Sequence, residues 1–195
     1  MAFVLASSNP GKLREFEQLF TKLGLEVVPQ AQFGVGDADE TGLSFIENAL
    51  IKARHASERT NQPAMADDSG IVVPALKGAP GIYSARYSGK GDAANNEKLL
   101  RALEGIEGAG RNAFYVAVIA LVKHASDPMP IIAEGRWHGR IAKGQVGEGG
   151  FGYDPSFIPY GFQITAAQMP PDDKQALSHR AQALKALAPQ LNGLQ

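Results

Sequence analysis

Apolar positions along this chain follow two different spacings. From Gly11 onward, Leu13, Phe16, Leu19, Phe20 and Leu23 recur at helical intervals, with Lys12, Arg14, Glu15 and Glu17 on the other faces, and Gly24 is placed to end that helix. A second helix is predicted from about Leu43 to Arg59, where Phe45, Ile46, Ala49, Leu50 and Ala53 form an apolar stripe. Short apolar runs read as strands at Phe3 to Ala6, Val27-Val28, Ala64 to Ala66 and Ile71 to Val73. Ala113 to Lys123 is rich in Val, Ile and aromatics and fits a central strand, with Ile131 to Ile141 as its antiparallel neighbour. Asp92 is placed to cap a helix running through Leu103, and Ser178 to Leu187 reads as helical. Strand, glycine-containing loop and helix in succession open an α/β unit, so the pattern predicts one α/β domain over residues 1–195, with room for two lobes.

Glycine and polar residues mark the connections. Gln30 to Gly42 and Gly144 to Gly161 are glycine-rich, and Gly78 to Gly91 is either a long ordered loop or a mobile flap. Composition narrows the function classes. A chain of 195 residues, 44% hydrophobic and 20% charged, suits a folded globular protein. The absence of cysteine excludes disulfides, thiolate metal sites and cysteine nucleophiles. Nineteen basic against twenty acidic residues leave no global field for a nucleic acid polymer or an anionic membrane. The N-terminal apolar run lacks a basic leader, and the longest apolar stretch, Ala113 to Val122, is about half of what a membrane helix needs. The expectation is a soluble, cytoplasmic protein.

Candidate chemistry lies in the connections. Ser7-Ser8-Asn9-Pro10-Gly11-Lys12 joins the first strand to the first helix; helix-start N–H groups plus a lysine suit phosphate, while a capped turn is the other reading. Ala6 and Leu13 stand where a Walker A loop needs glycine and Ser/Thr. Asp67-Asp68-Ser69-Gly70 sits between two apolar runs. Adjacent carboxylates there suit a divalent cation or water activation, or a solvated hairpin turn. Glu40-Thr41-Gly42 and Glu47 flank the start of the second helix, as cap partners or as a second metal carboxylate. Gly147 to Gly152 formally satisfies the dinucleotide-binding spacing, but Tyr153-Asp154-Pro155 prevents a helix from opening there, which argues against an oxidoreductase. What remains is a loop presenting Phe151, Tyr153 and Asp154, able to stack and hydrogen-bond a base or to form a plain packed turn. Lys174, Ser178, His179 and Arg180 offer basic groups near the last helix, and Arg86 is equally ambiguous.

In order, Ser-Ser-Asn-Pro-Gly-Lys at 7–12, Glu-Thr-Gly-x-Ser-Phe-x-Glu-Asn-Ala at 40–49, Asp-Asp-Ser-Gly at 67–70, Pro-Gly-Ile-Tyr-Ser-Ala-Arg-Tyr-Ser-Gly at 80–89, Gly-Gly-Phe-Gly-Tyr-Asp-Pro at 149–155 and Ser-His-Arg at 178–180 strongly resemble the inosine triphosphate pyrophosphatase family across essentially the whole chain. Ser7, where threonine is frequent, and Ile71, where leucine is, keep the required chemistry. The resemblance implies an elongated central mixed β-sheet flanked by helices, two lobes with a cleft between them, and a homodimer. It implies a Mg²⁺-dependent enzyme that cleaves deaminated purine nucleoside triphosphates to the monophosphate and pyrophosphate. Ser7, Ser8, Asn9, Pro10, Gly11 and Lys12 would hold the triphosphate. Asp68 would be the general base and, with Glu40, a metal ligand, while Ser69 touches substrate. Phe151, Gly152, Tyr153 and Asp154 would bind base and sugar, with Phe151 stacking, and Lys174, His179 and Arg180 would contact the base. A nucleotide-binding sensor without turnover is the competing expectation, although it has no need of the Asp67-Asp68 pair.

Overall fold

The computed structural model describes residues 2–22 and 26–191. Among the described residues six strands form one sheet: β1 (Ala2–Leu5), β2 (Glu26–Pro29), β3 (Ala64–Val72), β4 (Asn112–Val122), β5 (Ile131–Ile141) and β6 (Phe157–Pro159), in the order β2-β1-β3-β4-β5-β6. β1 runs parallel to both β2 and β3, and β6 antiparallel to β5, so the sheet is open and mixed as expected. Both edge strands end in proline, Pro29 and Pro159, where the missing N–H costs no interior ladder bond. The helices are α1 (Pro10–Lys22), α2 (Phe45–Thr60), α3 (Asp92–Ala102), α4 (Pro171–Leu177) and α5 (His179–Leu191). Leu23 and Gly24, the expected end of α1, lie outside the described residues, as does the Leu19 side chain. Among the described residues, no helix is long and apolar enough to cross a membrane.

Two expectations change, and the open reading of Gly78 to Gly91 resolves to the ordered loop. Ala64 to Ala66 and Ile71 to Val73 are not separate strands around a turn: β3 runs unbroken for nine residues through Asp67-Asp68-Ser69-Gly70. Turn propensity is overridden there because both carboxylates are buried against cations. Asp92 does not cap α3; Gly91, at φ 88°, holds that position and the Asp92 carboxylate bonds elsewhere. The segment Gly78 to Gly91 holds a short 3₁₀ turn over Gly81–Arg86. It is pinned by the buried Ser84, whose hydroxyl donates to Gly81 O (2.6 Å) and accepts from the Ile71 N–H (2.9 Å).

The chain divides into two compact units. The first takes the described residues of Met1–Asp68, Ala117–Gly135 and Arg180–Gln195. Its core gathers Phe3, Leu5, Phe16, Phe20, Met65, Ile119, Leu121, Leu184 and Leu187. Phe16 and Phe20, four residues apart on α1, stack at 5.6 Å, as helical spacing allows. The second comprises Ser69–Val116 and Arg136–His179. It packs Ile71, Leu99, Leu103, Tyr115, Trp137, Ile141 and Phe157 into one cluster. Its buried Arg111 donates to the carbonyls of Leu103, Ile106, Ile141 and Ala142, so each of its three guanidinium nitrogens is bonded in that core.

Candidate active site

In the first unit, strand periodicity decides what the paired aspartates do. Neighbouring side chains on β3 point to opposite faces, so Asp67 and Asp68 are separated rather than opposed. Asp67 shares its face with Met65 and meets Lys12 Nζ from α1 at 3.2 Å and Arg180 Nε from α5 at 3.3 Å. Asp68 faces α2, where Lys52 Nζ donates to its Oδ1 at 2.9 Å. The same ammonium donates to Glu40 Oε1, also at 2.9 Å, so Lys52 ties Glu40 to Asp68.

Burial and charge push these groups apart. Burial works against the Asp67 carboxylate, yet Lys12, Arg180 and Lys52 hold it well below the usual carboxylate range. For Asp68 burial prevails over Lys52 and Lys12, with Glu40 adding repulsion, and its affinity for a proton rises. Lys12 is lowered by burial, which Asp67 only partly offsets. Lys52 is raised: burial lowers it, but Asp68, Asp67 and Glu40 outweigh that. Two neighbouring carboxyls in opposed environments are the pattern of a fixed charge beside a proton acceptor.

Local sequence builds the supports. The Asn9 side chain accepts from the N–H groups of Gly11 (2.9 Å) and Lys12 (3.1 Å), with Pro10 opening α1, so the capped-turn reading holds for those amides. Ser7 Oγ accepts from the Asn9 N–H, and Ser8 Oγ donates to Asp37. What this loop aims at its surroundings is Lys12. Before α2, the Ser44 hydroxyl accepts from Glu47 N–H while the Glu47 carboxylate accepts from Leu43 N–H and Ser44 Oγ. Glu47 is therefore a cap partner, and Glu40 is the carboxylate that reaches Asp68's cation. Gly42 makes that approach possible: its N–H donates to Asn48 Oδ1 at 2.8 Å, and a Cβ would stand 2.5 Å from Glu47 Cβ.

Asp68 Oδ2 is buried without a hydrogen-bond partner. An orphaned carboxylate oxygen, with a second carboxylate on the same ammonium, fits a divalent cation completed by phosphate oxygens and water. Among the described residues no cluster of three or more His, Asp or Glu forms an all-protein metal cage.

In the second unit, Asp154 organises the glycine-rich loop. Its Oδ2 accepts from Lys174 Nζ (2.6 Å) and Phe151 N–H (2.9 Å), and its Oδ1 from the Tyr115 hydroxyl (3.2 Å). Lys174 Nζ also lies 4.9 Å from the Phe151 ring centroid. Gly150, at φ 73°, must lack a side chain, since a Cβ would come within 2.1 Å of Asp154 Oδ2. Tyr153 is buried and donates to Ser84 O at 2.7 Å, so it anchors the loop rather than offering a free face. Gly152 is gripped twice from α3: its N–H donates to Asp92 (2.8 Å) and its C=O accepts from Asn96 (2.8 Å). Ser69, at the start of this unit, and Arg86, which lies over the Tyr83 ring, complete the expected residues. His179 stacks on Tyr115 at 4.8 Å and 12°.

The structure thus gathers Lys12, Glu40, Asp68 and Arg180 in one group and Phe151, Asp154, Lys174 and His179 in another. Sequence reasoning missed Lys52, Tyr115, Asp92 and Asn96 as members. Lys52 had a signal: it is a lysine beside the fully buried Ala49, Ala53 and Ala56 on α2.

The Ham1 family model matches residues 3–190. The dITP/XTP pyrophosphatase of Burkholderia pseudomallei (strain K96243) is 56% identical over 193 residues, covering 96% of this chain and 92% of that protein. The dITP/XTP pyrophosphatase of Thioalkalivibrio sulfidiphilus (strain HL-EbGR7) is 53% identical over 195 residues, covering 99% and 100%. Among solved structures, a HAM1 protein from Coxiella burnetii aligns with a TM-score of 0.91 at 47% identity over 99% of both chains.

Proposed function

The chain belongs to the Ham1 family and is a nucleoside triphosphate pyrophosphatase, and on that premise we propose that it hydrolyses deaminated purine nucleoside triphosphates (ITP, dITP and XTP) to the monophosphate and pyrophosphate. Such an enzyme cleanses the nucleotide pool before polymerases draw on it. The observation that carries the reading is the divided environment of the β3 aspartates, one held ionised and one biased toward taking a proton.

In this mechanism Asp68 accepts a proton from the attacking water as the water oxygen bonds to the α-phosphorus. The bond from that phosphorus to the α,β-bridging oxygen breaks, and pyrophosphate departs with the electron pair. Lys12, kept in place by Asp67, offsets charge on the phosphate oxygens, and Ser7 to Gly11 line the phosphate path. Glu40 and Asp68 are the residues that would hold Mg²⁺, whose chemistry when bound is to neutralise phosphate charge. Lys52, now between those carboxylates, keeps the acidic pair neutralised. Phe151 stacks on the base, while Lys174, His179 and Arg180 supply donors for the keto oxygen at purine position 6. Adenine presents an amino donor there and leaves them unpaired, a mismatch worth discrimination on the order of 10⁴. The enzyme acts on small nucleotides as a cytoplasmic homodimer.

The test is pyrophosphate release from ITP, dITP, XTP, GTP and ATP, each with Mg²⁺ and with EDTA. Mg²⁺-dependent release of pyrophosphate from the deaminated substrates, far exceeding that from ATP, is expected. Orthophosphate as the released product, or equal rates on ITP and ATP, would overturn the reading.

A further inference from the structure

Tyr115 occupies a position in the second unit that neither the motifs nor the proposed chemistry account for. Its ring lies nearly parallel to His179, with centroids 4.8 Å apart. Trp137 stacks on it at 6.4 Å and Phe157 meets it edge-on at 4.9 Å, so it is wedged with little freedom to turn. Its hydroxyl, buried with the rest of the side chain, reaches Asp154 Oδ1. Burial and the adjacent Asp154 carboxylate raise its pKa, so the phenol stays protonated and acts as a donor. One side chain therefore supports two of the groups expected to read the base.

An ionised carboxylate offers roughly four lone-pair sites. On Asp154, Lys174 and the Phe151 N–H fill both sites of Oδ2, and Tyr115 fills one on Oδ1. Among the described residues this leaves a single acceptor direction. Hypoxanthine presents one donor, N1–H, on the corresponding edge. Guanine presents N1–H and a 2-amino group side by side, and a carboxylate with both oxygens open would take that pair together. We propose that Tyr115 is a specificity-positioning residue: by fixing the plane of His179 and occupying Asp154 Oδ1, it withholds from guanine the paired acceptors its two donors require. The inference rests on the base-reading role given above to Asp154 and His179, and it supplies a physical basis for rejecting GTP, which shares the 6-keto group.

Tyr115→Phe removes the hydroxyl and keeps the ring; Tyr115→Leu removes both. Steady-state kcat and KM for ITP and GTP are measured for the parent and both variants, together with the NMR shifts of the His179 ring protons. In Tyr115→Phe the kcat/KM ratio of ITP to GTP should fall about tenfold, the worth of one charge-assisted hydrogen bond, mainly by a lower KM for GTP. The ring-current shift of His179 should persist in that variant. In Tyr115→Leu the shift should vanish and KM for ITP should rise more than kcat falls. A parental ITP/GTP ratio in Tyr115→Phe overturns the proposal, as does a parental ratio in Tyr115→Leu if only the latter folds. A parent enzyme that cleaves ITP and GTP equally overturns instead the reading on which it rests.

Discussion

In the first unit three cations, Lys12, Lys52 and Arg180, face three carboxylates, Asp67, Asp68 and Glu40. In the second the Asp154 carboxylate is held by a phenol, an ammonium and a backbone N–H beside stacked rings. The first group is a balance of formal charges in which the proton affinities of Lys12, Lys52, Asp67 and Asp68 are each set by several charged neighbours. The second is fixed mainly by shape and directed hydrogen bonds, so its members can be altered one at a time. Chemistry on a triphosphate calls for the former, where charge moves during the reaction. Choosing between purines that differ in one donor calls for the latter.

The largest effect expected from breaking this contrast is in the first group. Asp68→Asn keeps the size and polarity of the side chain and removes the proton acceptor. It should lower kcat about 10³-fold while leaving the melting profile and calorimetric ITP binding in place. A residual kcat within tenfold of the parent's would remove Asp68 from the base role.

Asp67 answers to pH instead. Its pKa in the folded chain lies below the unfolded value, so the stability it contributes is fully present above the ordinary carboxylate range. That contribution is lost as pH falls through this range toward the folded value. Asp67→Asn leaves Lys12 and Arg180 without their carboxylate and should destabilise the metal-free protein at pH 7 by on the order of 4 kcal/mol. Urea denaturation in EDTA should show the gap between parent and variant closing as pH is lowered through the ordinary carboxylate range. A gap that stays constant or widens in acid would mean that Asp67 is not the ionised member of the pair.

The same contrast explains what the sequence made legible. Long segments announce themselves through their own residues, α2 by its apolar stripe and β4 by its Val, Ile and aromatic content, as does the loop at 149–155 through its glycines. Asp-Asp-Ser-Gly suits a turn as readily as a carboxylate site, because each residue favours a turn locally. Only Lys12, Lys52 and Arg180, brought in from three helices, make an extended strand the better state. β6 was invisible because three residues ending in proline carry no period. Lys52 was passed over because a lysine on an amphipathic helix ordinarily faces water, and Tyr115 because an aromatic in an apolar strand reads as core. Asp92 was placed correctly at the start of a helix but given the wrong partner, since nothing local signals a bond to Gly152, sixty residues away.

That bond sets up the smaller effects, within the second group. Asp92 and Asn96 lie one turn apart on α3 and hold the two backbone polar groups of Gly152 between Phe151 and Tyr153. Asn96 is almost fully buried and also accepts from Ser156 Oγ at 2.6 Å, so Asn96→Ala strands two polar groups in a dry setting. Loosening the loop should raise KM for ITP about tenfold with a much smaller change in kcat, because the base is held less well while the proton acceptor in the first group is untouched. Asp92→Asn is the finer probe. The amide oxygen can still accept from the Gly152 N–H, so geometry is retained and only the charge assistance is lost; KM should shift by no more than about threefold. If Asp92→Asn proved as damaging as Asn96→Ala, the negative charge at residue 92 would be acting on the nucleotide itself rather than on the loop.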